Sequence, residues 1–234
     1  ADDGSGPKTK ALLTKMAEEV FYPIIHVWQE DEGFQKSKIL NKAIMACNTE
    51  YIIMTDGDCI PREDFVQVHY INKSEGYFIS GGCYLLPMNI SKAISLEDIE
   101  NQNCFNIEWL KEKGIPKEFK NNKFSVTGII YKIFNKITRT NVSWNGYNSS
   151  VWKKDIVNVN GFDERMQYGG QDKELGERLF NSGLKSKQLR YSALCVHLDH
   201  KRDYKTTESV AKNIAIRKET KEGKLVQTNY GITK

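Results

Sequence analysis

The chain has 234 residues, 39% of them apolar and 27% charged, and a formal net charge of +4. This is the size of one large domain or two small ones, with the composition of a soluble globular protein. The charge is too mild and too dispersed for a nucleic-acid footprint, and no apolar run nears the ~20 residues that span a bilayer.

In chain order, residues 1–6 (ADDGSG) have loop chemistry, two acids followed by small residues that turn sharply. Such a loop normally follows a strand. The expectation is therefore an α/β sheet whose first strand and helix are missing here, supplied by a partner polypeptide or a second copy of the chain. Residues 9–20 have helical periodicity, with Leu12, Leu13, Met16 and Val20 on one face and Pro7 where proline is tolerated. Residues 24–29 read as a strand. Residues 34–47 read as a helix with Ile39, Leu40, Ala43, Ile44 and Cys47 inward. Residues 51–55 (YIIMT) are almost wholly apolar, as in a parallel-sheet strand covered on both faces.

Residues 62–70 look helical, and 76–86 form a strand interrupted by glycines. Residues 89–140, rich in Asn and Lys, read as short helical pieces of an insertion or lid. Further on, Asp172 opens a helix in which Leu175, Leu179 and Phe180 face the core and Gly183 ends it. A strand-like SALCV follows, and beyond Lys201 comes a charged helical tail. The class is α/β with a mostly parallel central sheet flanked by helices. Five cysteines, Cys47, Cys59, Cys83, Cys104 and Cys195, are odd in number and never spaced CxxC. They read as reduced thiols, neither a disulfide frame nor a zinc cluster. No signal-peptide pattern opens the chain, so the N-x-S/T triplets at Asn89, Asn141 and Asn148 read as chance matches.

Three short stretches carry chemistry. Asp56 and Asp58 end the apolar run YIIMT, and their i, i+2 spacing puts both carboxylates on one side of an extended backbone. Ligands bind at carboxyl ends of strands in parallel α/β sheets, and hard cations take carboxylate oxygen; Asp-Gly is equally a common turn pair. In the second stretch, Gly169 and Gly170 let backbone approach a ligand closely, and Asp172 follows at a helix start. Asp172 is there either a dipole-favoured residue or a carboxylate that takes a proton from a hydroxyl. In the third, His197 and His200 follow an apolar strand, a pattern seen in metal ligation. Alternation along an extended segment would send the two apart, so at most one is a sure ligand. Imidazole with carboxylate suits Mn²⁺ better than Mg²⁺.

In this order, ADDGS, DEGFQKSKILNKAI, YIIMTDGDCIP, VNGFDE, GGQD and HLDH resemble a family 2 glycosyltransferase of the GT-A fold, a nucleotide-diphospho-sugar transferase. The second half is similar to a galactosyltransferase-type C-terminal region. The resemblance spans the chain except for about residues 89–140. It implies one GT-A domain: a nucleotide-binding half (1–88) truncated at its start, a variable insertion or lid (89–140), and an acceptor-binding and catalytic half (141–234). It further implies that Asp3, with Asp2 beside it, contacts uracil or ribose, and that Asp56 faces the ribose. Asp58 and His200 then ligate the metal, with His197 at a more variable ligand position. Gly169, Gly170 and Gln171 form the turn before the base Asp172. Lys36 or Lys38 adds charge near the diphosphate or lies on a solvated helix face; Trp144, Tyr147 and Tyr168 stack on sugars or belong to the core. Gln171 stands where the family usually has Glu.

The implied activity is inverting transfer from a UDP-sugar of Gal, GalNAc or GlcNAc type to a glycan or glycolipid hydroxyl, with Mn²⁺ or Mg²⁺. The setting is bacterial polysaccharide or surface-glycan synthesis, cytoplasmic or peripheral at the inner face of the membrane, with neither nucleic acid nor a transmembrane segment involved. The alternatives are a truncated GT-A domain that binds nucleotide or glycan without turnover, and a metal-dependent phosphohydrolase or nucleotidyltransferase, which would want a denser acid cluster.

Overall fold

The computed structural model describes all residues except 127, 139–141, 203 and 234, and residue 129 by its backbone alone. In chain order the elements are α1 (Pro7–Glu19), α2 (Lys36–Ala46), β1 (Tyr51–Met54), β2 (Cys59–Pro61), α3 (Phe65–Asn72) and β3 (Tyr77–Leu85). Next come α4 (Met88–Ala93), α5 (Leu96–Glu100), α6 (Ile107–Glu112), α7 (Asn122–Ser125), α8 (Ile129–Ile137) and β4 (Ser149–Trp152). The series ends with α9 (Lys153–Asn158), α10 (Gln171–Asn181), β5 (Lys185–His197) and α11 (Thr207–Glu222). The chain divides into two compact units, one of residues 1–52, 152–183 and 203–234, the other of residues 53–151 and 184–202.

In the first unit the helices form where periodicity places them, but their faces differ from expectation. In α2, Ile39 and Ile44 are buried while Leu40, Ala43 and Cys47 are only half-buried. Asn41 is buried instead, its amide donating to the Phe162 carbonyl (2.9 Å) and accepting from the Phe162 amide (2.7 Å). The apolar stripe of α1 is largely exposed at Leu12 and Met16. Residues 24–29 are extended but form no regular strand; a single parallel bridge joins Asp2 to Trp28. In α10, Leu175 and Leu179 are buried but Phe180 points outward.

The interior of α10 holds an ion pair. Arg178 Nε and Nη2 donate to the two Glu174 oxygens at 2.7 Å each, Nη1 reaches the Val159 carbonyl, and the Thr220 hydroxyl donates to Glu174 at 2.9 Å. Both side chains are fully enclosed. Removing one partner of such a pair strands a buried charge and costs about 3–5 kcal/mol. Arg178→Met should therefore lower the denaturation midpoint sharply, and a urea titration followed by far-ultraviolet dichroism reads the loss.

Strands β2, β3 and β5 lie in the second unit, within a five-stranded sheet of order β1-β4-β3-β5-β2. The sheet is mixed, which corrects the mostly parallel expectation. Strands β3 and β5 are parallel, whereas β4 is antiparallel to β3 and β2 antiparallel to β5. An apolar run reports burial on both faces and carries no information about strand direction. Residues 89–140 contribute Ile90, Cys104, Phe105, Leu110 and Ile115 to a cluster with Ile60, Tyr84, Leu86, Leu194 and Val196 of the sheet side. No helix among the described residues is long and apolar enough to cross a membrane.

The register of β3 on β5 breaks between Gly81 and Gly82, where Leu189 is followed by Leu194 as the next partner. A Cβ at Gly81 would strike the Asn148 side chain, and one at Gly82 the Arg190 carbonyl. Asn148 is fully buried in the gap and donates to the Gly82 and Ala193 carbonyls at 2.8 and 2.9 Å, so its N-x-S triplet is inaccessible. The Asn141 triplet lies outside the described residues. The buried His69 completes this network, its Nε2 donating to Asn148 Oδ1 (2.9 Å) and its Nδ1 accepting from Ser150 Oγ (2.7 Å).

Burial pushes the pKa of His69 down to about 4, against the opposing Asn148 hydrogen bond. An imidazole neutral in the fold but free to protonate when unfolded contributes its stability above its ordinary value of 6.5. That contribution drains away as pH falls from about 6.5 toward about 4. At about 1.4 kcal/mol per unit, the loss is on the order of 3 kcal/mol. Unfolding free energies measured between these limits should slope downward with acid, and His69→Gln should flatten the slope.

Candidate functional site

In the second unit the acid pair forms a turn and a site together. Cys59 N donates to Asp56 O (3.1 Å), so the Asp-Gly turn is present and leads the chain into β2. Strand β2 then pairs with β5, Cys59 opposite His197, and the Leu198 amide donates to the Asp58 carbonyl at 2.9 Å. Asp58 Oδ2 lies 2.9 Å from His200 Nε2, and Oδ1 lies 3.5 Å from His197 Nε2. The two imidazole planes are nearly parallel, 11° apart with centroids at 5.9 Å. Strand alternation does not separate them, because β5 ends at His197 and His200 lies beyond it.

Each histidine donates its Nδ1–H to the next residue's carbonyl, His197 to Leu198 and His200 to Lys201, both at 2.7 Å. This fixes each ring and turns Nε2 toward the carboxylate, as metal-binding imidazoles are held. A carboxylate and two imidazole nitrogens, each facing a different oxygen of Asp58, are donor chemistry that fits Mn²⁺. Asp58 and His200 open into a cavity of about 700 Å³ that is also lined by Met88, Ser91, Lys92 and Lys201. Asp56, half-buried, starts the same turn.

In the first unit, both early acids are tied down. Burial raises the Asp2 carboxyl, but the Ser5 amide and hydroxyl, with His26, outweigh it and hold the group below the usual carboxylate range. The Ser5 amide donates to Asp2 at 2.8 Å and His26 Nε2 lies 2.8 Å from its other oxygen. Asp3 accepts from Gln29 Nε2 (2.6 Å) and the Gln35 amide (2.7 Å). Lys38 is paired with Glu32 at 3.3 Å on a partly exposed face.

The turn at Gly169-Gly170 takes left-handed φ values of 105° and 91°, strained for any other residue. A Cβ at Gly170 would also meet Arg217 Cδ at 3.0 Å. Gln171 is buried and its Oε1 accepts from the Gly169 amide (3.0 Å), while Asp172 stands half-buried in the first turn of α10. Sequence reasoning missed Asn213. Its fully buried amide nitrogen lies 3.0, 3.1 and 2.9 Å from the carbonyls of Gln167, Tyr168 and Gly169. The signal was the spacing 209, 213, 216 and 220, an inward face of α11 disguised by polar residues. Tyr168 packs with Phe34 and Tyr204, centroids 5.5 and 4.9 Å away. Trp144 is fully buried, which makes it core, and Tyr147 packs on the Cys59–Phe65–Cys195 cluster.

Asn213→Ala removes hydrogen bonds worth about 1–3 kcal/mol. Amide exchange at residues 168–172 should quicken roughly tenfold in that variant, as followed by mass spectrometry, while the sheet amides keep their rates.

Residues 1–87 match the family model for glycosyl transferase family 2, and residues 133–202 match that for the N-terminal domain of galactosyltransferase. Both matches fall on the motifs just located. The mannosyltransferase PcManGT from Pyrobaculum calidifontis, solved with GDP-Man and Mn²⁺, superposes with a TM-score of 0.52 at 16% identity, over 87% of this chain and 48% of its own. GalNAc-T7, solved with UDP, GalNAc and Mn²⁺, superposes with a TM-score of 0.57 at 10% identity, over 93% of this chain and 40% of its own. The fold is GT-A. Chondroitin synthase from Escherichia coli is 24% identical over 237 residues, covering 92% of this chain. This GT-A chain spans about a third of that relative's length (32%).

Proposed function

We propose that the chain transfers a hexose of Gal, GalNAc or GlcNAc type from a UDP-sugar to a glycan or glycolipid hydroxyl, with inversion and with a divalent metal. The observation that carries the proposal is the convergence of Asp58, His197 and His200 at the end of β5. Support comes from the two GT-A structures solved with Mn²⁺ and a nucleotide or nucleotide sugar. The chondroitin synthase relative supports a polysaccharide setting.

Asp58, His200 and His197 would hold Mn²⁺, or Mg²⁺ less favourably, which supplies charge stabilisation to the departing diphosphate. Asp2 and Asp3 position the uridine; both already have fixed partners, so the loop is ordered before nucleotide arrives. Asp56 takes the ribose. Lys38 adds positive charge near the diphosphate once released from Glu32. The Gly169-Gly170 backbone and the neutral Gln171 side chain line the sugar. Asp172 accepts the acceptor hydroxyl proton as its oxygen attacks the anomeric carbon opposite the leaving UDP.

Calorimetry with Mn²⁺ and UDP checks the donor assignment: Asp58→Ala should abolish metal-dependent binding while the dichroism spectrum stays native. Unchanged affinity would return the Asp-Gly pair to a turn and nothing more. Asp172→Asn separates chemistry from binding. UDP release from a panel of UDP-sugars should fall by about 10²–10⁴-fold, with UDP affinity retained. Metal-dependent UDP binding by the unaltered chain, without turnover on any donor, would leave a binding module.

A further inference from the structure

Cys59, Cys83 and Cys195 are 24 and 112 residues apart in sequence, yet their sulfur atoms lie within 4.8 Å of one another. The sheet register explains this. Cys83 pairs with Cys195 across β3 and β5, and Cys59 pairs with His197, two residues from Cys195 on the same strand face. We propose that these three thiols form a binding site for a thiophilic divalent cation of the Zn²⁺ class, a site distinct in chemistry from the carboxylate–imidazole set beside it.

The dimensions suit the ion. Zinc–sulfur bonds of about 2.3 Å put tetrahedral sulfurs roughly 3.8 Å apart, so closing the site needs only sub-ångström adjustment of side chains. Beside the cluster, Asp58, Cys59 and His197 also present ligand atoms within 4.8 Å of one another. His197 Nε2, its ring fixed by the Leu198 carbonyl, therefore borders the sulfur set at Cys59, and solvent supplies the fourth ligand of a Cys₃ site. Outer contacts are in place, as the buried Asn148 amide donates to Cys195 Sγ at 3.7 Å.

Charge also balances. Three thiolates, a divalent ion and the ammonium of buried Lys123, held at 2.6 Å by the Cys83 carbonyl, sum to zero, so no uncompensated charge is enclosed. Cys83 is the half-exposed member and provides the way in. Binding exchanges three S–H protons for three metal–sulfur bonds and needs no oxidant. Because Cys59 belongs both to the sulfur set and to the Asp58–Cys59–His197 group, an ion bound here lies directly beside the carboxylate–imidazole donors. The inference stands on the cluster's own geometry, whatever sugar or activity the chain has.

The test is a Co²⁺ titration of the reduced chain, followed through the thiolate-to-cobalt charge-transfer absorption. The expected result is a band that saturates at one equivalent and is reversed by Zn²⁺. It should persist in the Cys47→Ser, Cys104→Ser double variant and in Asp58→Ala, and vanish in Cys83→Ser and Cys195→Ser. Cys83 is half-exposed, so its variant stays informative even if the Cys195 change disturbs folding. No band in the unaltered chain overturns the inference. So does a band that survives Cys83→Ser, or one lost in the Cys47→Ser, Cys104→Ser variant.

Discussion

Strand β5 runs parallel to β3 on one side and antiparallel to β2 on the other, so its last residue, His197, is fixed by two ladders, opposite Leu85 and opposite Cys59. Side chains alternate with a period of two along a strand, so a one-residue slip in either ladder would turn the whole set to the other face. That slip would part Asp58 from both imidazoles and scatter the sulfurs. The register is in turn held by the break at Gly81-Gly82, where Asn148 fills the gap, His69 satisfies Asn148 and Ser150 satisfies His69. The buried polar network therefore does more than occupy space. It sets which residues of β5 reach the strand end, and a network with every member bonded can specify one arrangement where an apolar plug would tolerate several.

The first unit uses the same device on a different backbone. Two consecutive left-handed glycines make a turn that local propensity alone would leave loose. Gln171 bonds it from within, at the Gly169 amide, and Asn213 holds three of its carbonyls from α11. Helix α11 is positioned by Thr220 on the buried Glu174–Arg178 pair. The turn that presents Asp172 thus rests on a chain of polar contacts, each enclosed and each costly to break.

What was legible in the sequence was local. Asp56 to Asp58, Gly169 to Asp172 and His197 to His200 each sit within four residues, and turn chemistry or strand ends betray them without reference to the fold. The helix α10 was legible from Leu175 and Leu179, but Phe180 was assigned inward because an aromatic residue outranks Glu174 and Arg178 in any hydrophobic pattern. The structure buries the charged pair because it is mutually satisfied, a condition that a pattern of single residues does not encode. Strand direction was illegible for a similar reason, since burial and direction are separate properties of YIIM. The cysteine cluster was illegible altogether. CxxC spacing reports ligands brought together by one loop, whereas Cys59, Cys83 and Cys195 meet through ladders between β2, β5 and β3.

Exposure falls steadily along the strand end, from 36% and 35% for the His200 and Asp58 side chains to 14% for His197, then to 9% for Cys59 and 1% for Cys195. Donor hardness falls in the same direction. A cation bound through carboxylate and imidazole retains water or takes phosphate oxygens, and so needs the open cavity at Asp58 and His200. Thiolates are less strongly hydrated than carboxylates and lose less on burial, so a soft cation can draw on sulfurs of which two, Cys59 and Cys195, are buried and one, Cys83, is half-exposed. A single register thus grades one strand end from a solvent-facing carboxylate–imidazole set to a more deeply set, sulfur-rich one, with His197 between them. Which cation occupies that end then follows from the softness of the ion, with no change of backbone required.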